Sequence, residues 1–200
     1  MNDSEGSRVS ADTGESRSMV PRDRTEEIVQ DGAPVLRETA APVPEELFGS
    51  AELMRLIASM EESLDHEPEG VALAAPQIGV SYRLFIVRND RSLPSPVQTS
   101  ESSPRLTAEV AVYINPKIIK TSRKRAQAEE GCLSVRGVYG TTRRHERVTV
   151  RARRPDGSSF ERGAGGLMAQ IFEHEMDHLN GILFIDHAEN LVHIPHEPDA

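Results

Sequence analysis

The side chains most able to do chemistry lie in residues 173–178, which read Glu-His-Glu-Met-Asp-His. Residues four apart lie on the same face of an α-helix, about one turn apart, so His174 and His178 can bind one metal ion. Glu175 points about a third of a turn away, beside the metal rather than onto it. A carboxylate in that position can accept a proton from a water molecule that the metal activates.

The residues around this motif predict the helix that carries it. Residues 166–172 combine good helix formers with apolar residues at helical spacing, and Gly181 is a typical stop signal. We expect this helix to be buried, where imidazoles and carboxylates are costly unless they are paired or bound to metal. The alternative is a solvated, charged helix whose histidines occur by chance.

Cys132, the only cysteine in the chain, is the candidate for a third metal ligand. A sole cysteine is usually a small buried hydrophobic residue, but this one follows Gly131, where the backbone can turn freely. One cysteine and two histidines would leave a coordination position open for water, as catalytic metal sites require. A single cysteine also excludes an internal disulfide.

The segment 70–79 is small and apolar except for Gln77. Small residues let another backbone approach closely, for example a bound peptide, and a lone amide in such a segment needs a hydrogen-bond partner. Taken alone, the segment is equally consistent with a tight strand that contains a satisfied glutamine.

Composition indicates one globular domain without a membrane segment. The chain has 200 residues, of which 37% are hydrophobic and 28% charged, enough for a sizeable core. Because no apolar run is long enough to span a membrane and no secretion signal is visible, we expect a cytoplasmic protein. The net charge of −9 argues against direct nucleic-acid binding.

The chain divides into three segments by composition. Residues 1–27 contain almost no apolar side chains and are predicted to be disordered, whereas residues 28–188 are predicted to fold. Residues 189–200 form a polar C-terminal tail that is predicted to be loose. Within the folded part, the serine-rich and proline-rich stretch 88–109 is predicted to be a long exposed loop.

Periodicity and turn signals predict the regular elements of this segment. An amphipathic helix is expected at 50–64, with Ser50 as its N-cap. A hairpin turn is expected at 155–157. Strands are predicted at 28–30, 83–87, 110–114, 148–152 and from 159, and a buried strand or turn at 182–185.

Three stretches together resemble the motifs of the peptide deformylase family. That family carries Gly-x-Gly-Leu-Ala-Ala-x-Gln-Ile-Gly, then Glu-Gly-Cys-Leu-Ser, then Gln-His-Glu-x-Asp-His-Leu. The corresponding stretches here are 70–79, 130–134 and 173–179, and the resemblance extends over residues 28–187. Order and spacing agree, which makes the resemblance specific.

Two residues depart from the family motifs. Ala72 stands where the family usually has its second glycine, which adds a methyl group at a position expected to line the peptide groove. Glu173 stands where the family usually has glutamine, which adds a charge next to a metal ligand. Neither departure removes a catalytic group.

The resemblance implies a fold and an activity. The fold would be α+β, with antiparallel β-sheets wrapped around a central metal-bearing C-terminal helix and with one N-terminal amphipathic helix. The activity would be metal-dependent hydrolysis of the N-formyl group from the N-terminal formylmethionine of newly made polypeptides, with release of formate. The metal would be one divalent ion, with Fe²⁺ expected and Zn²⁺, Ni²⁺ or Co²⁺ as substitutes. The partners would be formylated nascent peptides and the ribosome exit region, and the protein would be a monomer.

The resemblance also implies roles for individual residues. Cys132, His174 and His178 would hold the metal. Glu175 would act as general base and then acid, while Gln77 and the backbone N–H of Leu133 would stabilise the oxyanion. The residues expected to contact the peptide backbone are Val71, Ala72 and Gly131. The pocket for the methionine side chain would be formed by Leu167, Gln170 and Ile171.

Two supporting residues and the other histidines complete the expectations. Glu130 and Arg144 resemble the supporting ion pair of the family, although Arg144 could equally be a solvated arginine. The other histidines stand in polar or terminal contexts and are expected to be simply exposed, namely His66, His145, His187, His193 and His196.

Two other classes of function share part of this pattern. A zinc endopeptidase would share His-Glu-x-x-His, but the longer metzincin pattern requires a histidine at the position of Phe184. A non-catalytic relative that binds formylated or metal ligands would be favoured by the loss of Glu175 or Gln77, and both are present.

Overall fold

Two antiparallel sheets and a central C-terminal helix organise the structure, a computed structural model that describes residues 27–92 and 110–194. The predicted disorder at the N-terminus therefore lies, apart from Glu27, outside the described residues, and so do residues 93–109 of the predicted loop. The strands, in chain order, are β1 Ala72–Ala74, β2 Leu84–Arg88, β3 Val110–Thr121, β4 Arg125–Cys132, β5 Val135–His145, β6 Arg147–Arg153, β7 Ser159–Gly165 and β8 Glu189–His193.

Helix α1, Ala51–Asp65, confirms the predicted amphipathic helix and its cap. The Ser50 hydroxyl accepts a hydrogen bond from the N–H of Leu53 at 3.1 Å, which satisfies one of the free donors of the first turn. Its apolar face is buried against β1 and β2, through Leu53, Leu56, Ile57, Met60 and Leu64. Among the described residues, no helix is both long and apolar enough to cross a membrane.

The larger sheet has the strand order β1-β2-β3-β6-β7, and all of its pairings are antiparallel. One of its faces carries an aromatic cluster, in which the rings of Phe85 and Tyr113 stack with centroids 4.6 Å apart. Phe172 meets the edge of Tyr113 at 5.2 Å and comes from the C-terminal helix. Because such rings are large and fully buried, they fix the helix on this sheet.

The C-terminal helix, α3, extends over Leu167–Leu179; a short helical turn, α2, lies earlier at Asn89–Ser92. α3 is buried along most of its length, as predicted, and Gly181 follows its end with a φ of +73°. No Cβ fits easily at Gly181, because it would lie 2.6 Å from the carbonyl oxygen of Arg37. Because residue 181 has no side chain, the segment that follows α3 can pack directly against the backbone at Arg37.

The smaller sheet has the order β4-β5-β8, and its third strand shows that the prediction of a loose tail is wrong over 189–193, while residues 195–200 lie outside the described residues. Residues Glu189–His193 pair with β5 in the register Val138 with His193 and Tyr139 with Val192. Gly140 permits this approach, since a Cβ there would lie 2.8 Å from the Leu191 side chain. All five residues of β8 are exposed, so no buried face marked the strand in the sequence.

The remaining sequence predictions divide into confirmed and wrong ones. The strands expected at 83–87, 110–114, 148–152 and from 159 are confirmed, as is the turn at 155–157. No strand forms at 28–30, where the Val29 N–H instead donates to the Gln77 carbonyl at 2.9 Å. The predicted loop is wrong over 88–92, because β2 includes Arg88 and α2 follows. The predicted strand or turn at 182–185 is a single 3₁₀ turn, Phe184–Asp186.

Gly181 and Gly49 offer a matched test of close packing at the helix end, since both have a φ of +73°. An added Cβ at Gly49 would have no neighbour within 4 Å, whereas at Gly181 it would meet backbone atoms of Arg37. We expect Gly49→Ala to lower the free energy of unfolding by about 1 kcal/mol through φ strain alone. Gly181→Ala should cost about 2 kcal/mol more, because it adds overpacking. Urea unfolding of both variants measures the difference, and equal losses would contradict the packing argument.

Candidate active site

Three side chains of the metal-ligand type converge where β4 ends against α3. Cys132 is the last residue of β4, and His174 and His178 project from one face of α3. Their ligand atoms all lie within 4.8 Å of one another, and the Cys132 sulfur is 3.2 Å from Nε2 of His178. The imidazole rings are 5.0 Å apart at an angle of 76°, so both can face one point.

This donor set fits a transition-metal ion. A thiolate and two imidazoles suit ions such as Fe²⁺, Zn²⁺ and Ni²⁺, whereas Mg²⁺ and Ca²⁺ prefer oxygen donors. Three protein donors leave a fourth position open in a tetrahedral site. His178 is fully buried, while Cys132 and His174 are partly exposed to the adjoining groove, so the open position is accessible.

The two imidazoles differ in their affinity for protons. Burial lowers the pKa of His174, but hydrogen bonds to Cys132 and Glu130 outweigh it and leave that pKa well above its ordinary value. Burial and the nearby charge of His174 lower the pKa of His178 well below its ordinary value. A cation bound here would displace the proton of His174, so metal affinity should increase with pH.

A buried ion pair fixes the orientation of His174. Both carboxylate oxygens of Glu130 accept hydrogen bonds from Arg144, at 2.6 and 2.9 Å, and Oε2 also lies 3.1 Å from Nδ1 of His174. This leaves Nε2 of His174 for the metal. Burial raises the pKa of Glu130, but Arg144 and His174 outweigh burial and lower that pKa to about 2. Arg144 is only 8% exposed, so the alternative of a solvated arginine is wrong.

The lone amide of Gln77 is held by the backbone and directed at the cluster. It lies in a 3₁₀ turn, Ala75–Ile78, where its Oε1 accepts a hydrogen bond from the N–H of Ala74 at 2.8 Å. Its NH₂ group therefore points the other way, toward Ser134 Oγ at 3.2 Å and the sulfur of Cys132 at 3.6 Å. A fixed hydrogen-bond donor thus lies beside the candidate metal position.

Glu175 is buried beside the cluster and retains hydrogen-bonding capacity. Its Oε2 and Nδ1 of His178 are the two buried side-chain atoms without a hydrogen-bond partner among residues 27–92 and 110–194. Burial raises the pKa of Glu175 to about 7; His174 opposes this shift, and the negative charges of Glu130 and Asp177 add to it. A carboxylate with a pKa near neutrality and a free oxygen is suited to proton transfer.

A groove of about 1040 Å³ opens onto this cluster. It is lined by Gln77, Leu133 and Glu175 and also by every residue that the sequence predicted to contact substrate, namely Val71, Ala72, Gly131, Leu167, Gln170 and Ile171. A Cβ at Gly131 would lie 2.8 Å from the Tyr139 ring, which explains a glycine there. Glu130 also lines the groove, whereas Arg144 does not.

The walls of the groove include the edge strands of both sheets. β1 is the first strand of the larger sheet and β4 the first strand of the smaller one. An edge strand presents unpaired backbone N–H and C=O groups on one side. The arrangement therefore suits an extended peptide that pairs with these strands by backbone hydrogen bonds.

Two supporting contacts were missed by the sequence analysis. Asp177 accepts a hydrogen bond from Arg144 at 2.7 Å and also contacts His187. Glu173 accepts hydrogen bonds from the backbone N–H and the ring of His145, both at 2.6 Å, so its charge is directed at β5 and away from the metal ligands. The helical spacing of Glu173 and Asp177 indicated a common face, but no local pattern indicated their partners on β5.

The expectation that the remaining histidines are exposed holds in three cases. His66, His187 and His193 are exposed, whereas His145 is partly buried against Glu173, so the prediction is wrong for His145. His196 lies outside the described residues.

Comparisons with known proteins agree with one another. The family model described as polypeptide deformylase matches residues 25–193. Peptide deformylase of Carboxydothermus hydrogenoformans is 38% identical over 165 residues, which cover 82% of this chain and 94% of that protein. The chloroplastic peptide deformylase 1A of Solanum lycopersicum is 36% identical over 162 residues, 80% of this chain but only 58% of that longer protein.

Solved structures give the same result. The class I type b peptide deformylase of Acinetobacter baumannii, crystallised with Met-Ala-Ser bound, superposes with a TM-score of 0.69 and 35% sequence identity. The superposition covers 82% of this chain and 99% of that one. Almost all of the residues that have no counterpart in the superposition therefore belong to this chain.

Neighbouring arginines on β5 test the buried ion pair. Arg144→Met should lower the free energy of unfolding by about 3–5 kcal/mol, because it leaves the Glu130 carboxylate buried without its partner. Arg143→Met, on the exposed face of the same strand, should change it by less than about 0.5 kcal/mol. Urea unfolding gives both values, and a loss below about 1 kcal/mol for Arg144→Met would contradict the importance of this pair.

Proposed function

Because the chain belongs to the peptide deformylase family, we propose that Cys132, His174 and His178 hold the metal ion of this hydrolase. The protein removes the N-formyl group from nascent peptides, the activity of its family. The observation that carries the assignment of the site is the convergence of these three donors beside a buried Glu175, at the end of a groove with two edge strands.

The proposed ion is Fe²⁺, with Zn²⁺, Ni²⁺ or Co²⁺ able to replace it. The support is the mixed donor set, since a thiolate with two imidazoles accepts all of these ions. When bound, such an ion acidifies a water molecule and polarises the formyl carbonyl. Glu130 would contribute by holding Nδ1 of His174, which keeps the ring in the orientation that directs Nε2 at the ion.

Glu175 is proposed to carry the proton through the reaction. It takes the proton of the attacking water while oxygen adds to the formyl carbon. It then returns a proton to the peptide nitrogen as the carbon–nitrogen bond breaks, so that formate and a free N-terminal amine leave. The free Oε2 and the pKa of about 7 support this role, because the group can exist in both protonation states near neutral pH.

Gln77 and the backbone N–H of Leu133 are proposed to stabilise the negative charge on the formyl oxygen. The Gln77 amide is already oriented, because Ala74 holds its oxygen and leaves its NH₂ group facing the cluster. A preoriented donor of this kind is often worth about 3 kcal/mol in the transition state. The Leu133 carbonyl accepts a hydrogen bond from the Gln30 side chain at 3.0 Å, which helps to hold this segment in place.

The substrate is proposed to bind as an extended chain between β1 and β4. Val71, Ala72 and Gly131 would contact its backbone, and Leu167, Gln170 and Ile171 would surround the methionine side chain. The support is that all six residues line the groove. Ala72 is almost fully buried within β1 and belongs to the core cluster that contains Phe85 and Phe172, so its methyl group does not project into solvent.

Several finer proposals concern the molecule as a whole. We propose a cytoplasmic monomer that meets its substrates near the ribosome exit region without binding nucleic acid directly, consistent with a net charge of −9. The catalytic domain is proposed to begin near residue 28. Its proposed end moves from 188 to include β8, since that strand completes the smaller sheet.

A zinc endopeptidase is not favoured. The residue at the third-ligand position of that pattern, Phe184, is 1% exposed and stacks on the His174 ring at 6.3 Å, and its side chain carries no donor atom.

Replacement of two neighbouring glutamates by glutamine tests the proton carrier. Glu175→Gln should retain metal but lose activity by about 10² to 10⁴, because an amide cannot accept the proton. Glu173→Gln should stay within a few-fold of wild type, since its carboxylate contacts β5 and an amide can still accept from the His145 N–H. Formate release and metal content should be measured together. More than about a tenth of wild-type turnover in Glu175→Gln would exclude Glu175 as the base.

Exposure to air tests the thiolate ligand. Ferrous protein should lose activity in air with Cys132 oxidised and metal released, because iron with bound water reacts with oxygen beside the thiolate. Zinc protein should remain stable, since zinc has no redox chemistry. Activity, metal content and intact mass should be followed over time, in air and under anaerobic conditions. A Cys132→Ser protein with wild-type metal binding and turnover would refute the three-ligand assignment.

A further inference from the structure

Residues 28–31 join the two turns that carry the proposed oxyanion donors. The Val29 N–H donates to the carbonyl oxygen of Gln77 at 2.9 Å, and the Asp31 N–H donates to the carbonyl oxygen of Ser134 at 2.8 Å. Gln77 lies in the turn that follows β1 of the larger sheet, whereas Ser134 lies between β4 and β5 of the smaller one. This short segment therefore links the two sheets beside the metal-ligand cluster.

Gln30, in the middle of this segment, uses its side-chain amide for two hydrogen bonds. Its Nε2 donates to the carbonyl oxygen of Ile28 and to the carbonyl oxygen of Leu133, both at 3.0 Å. The first bond fixes the amide on its own backbone, where the Ile28 side chain is buried in the core. The bond to Leu133 is therefore made by a group whose position is already set.

The carbonyl oxygen that Gln30 holds belongs to the peptide unit between Leu133 and Ser134. The C=O and the N–H of a trans peptide unit point in opposite directions. Gln30 binds the oxygen at one end of this unit, and at the other end the Ser134 N–H donates to the sulfur of Cys132, with a nitrogen-to-sulfur distance of 3.4 Å. Rotation of the unit would turn the carbonyl oxygen toward the sulfur, and the bond to Gln30 opposes that rotation.

Two N–H donors face the sulfur of Cys132, namely the backbone of Ser134 and the side chain of Gln77. A donor that points at a thiolate stabilises its negative charge and reduces the charge that the sulfur gives to a bound metal. The Gln77 amide is oriented by the N–H of Ala74, whereas the Ser134 N–H is oriented through Gln30. Gln30 does not belong to the described residues that line the groove, so its influence is exerted through this turn.

We propose that Gln30 is a positioning residue for the hydrolysis, which holds the Ser134 N–H on the sulfur of Cys132. The inference rests on the proposed function, in which Cys132 is a metal ligand. With the Gln30 amide in place, the charge of the sulfur is partly neutralised, and a metal bound there is a stronger Lewis acid. Without the amide, the peptide unit rotates more freely and the sulfur loses one of its two donors.

Gln30→Met tests this role, because methionine has a similar length but no hydrogen-bond donor. We expect kcat for formyl-Met-Ala-Ser, expressed per bound metal ion, to fall by about three- to tenfold, the effect of one neutral hydrogen bond. KM should stay within about twofold, because Gln30 lies outside the groove. Gln127→Met is the matched control, since Gln127 is also an exposed glutamine that does not line the groove. It should leave both constants within about twofold of wild type.

Two measurements follow the sulfur and the peptide unit directly. In the cobalt-substituted protein, the thiolate-to-cobalt charge-transfer band should move to longer wavelength in Gln30→Met and not in Gln127→Met, because a sulfur that loses a hydrogen bond gives up its electrons more easily. In the metal-free protein, hydrogen exchange of the Ser134 amide, followed by NMR, should be about tenfold faster in Gln30→Met, because its peptide unit is no longer held.

The outcomes are distinguishable. A Gln30→Met protein with wild-type kcat, or one with an unchanged cobalt band and unchanged Ser134 exchange, would overturn the positioning role. A raised KM with an unchanged kcat would also overturn it, because that result indicates a contact with substrate. A wild-type protein that releases no formate from formyl-Met-Ala-Ser would instead overturn the proposed function, while the cobalt band and the amide exchange would still decide whether Gln30 orients the peptide unit.

Discussion

The buried carboxylate of Glu130 is the group on which the geometry of the site depends. It accepts hydrogen bonds from Arg144 and from the Thr142 hydroxyl on β5, and it contacts His174 on α3. A buried charge is tolerated only when it is paired and hydrogen-bonded. One residue of β4 thereby links the strand to the helix two residues before Cys132, and it leaves Nε2 of His174 for the proposed metal.

The parts of the structure that depend on local pattern could be predicted from the sequence. The face shared by His174 and His178, the cap at Ser50 and the strand at 148–152 follow from periodicity or from a single hydrogen bond nearby. The proposed role of Cys132 as a metal ligand needed the resemblance as well as the open ligand position, because a lone cysteine has no periodicity.

The parts that depend on pairing between distant residues could not be predicted. β8 is exposed along its length and is defined only by its hydrogen bonds to β5. The contact between Glu173 and His145 joins residues 28 apart in sequence, so no local pattern indicated it. The departure from the family glutamine suggested a charge next to a metal ligand, whereas the Glu173 carboxylate contacts His145 on β5.

The unpaired edges of β1 and β4 in the groove bear on how the protein exposes backbone hydrogen-bonding groups in the cell. Unpaired strand edges are the usual starting points of aggregation, and natural proteins cover or blunt them. Here β1 and β4 both belong to the walls of one narrow groove. A single extended chain end can reach edges in a concave groove more readily than a strand that is already part of another folded sheet. The groove thus keeps the unpaired backbone groups of two strands available to a single extended chain end.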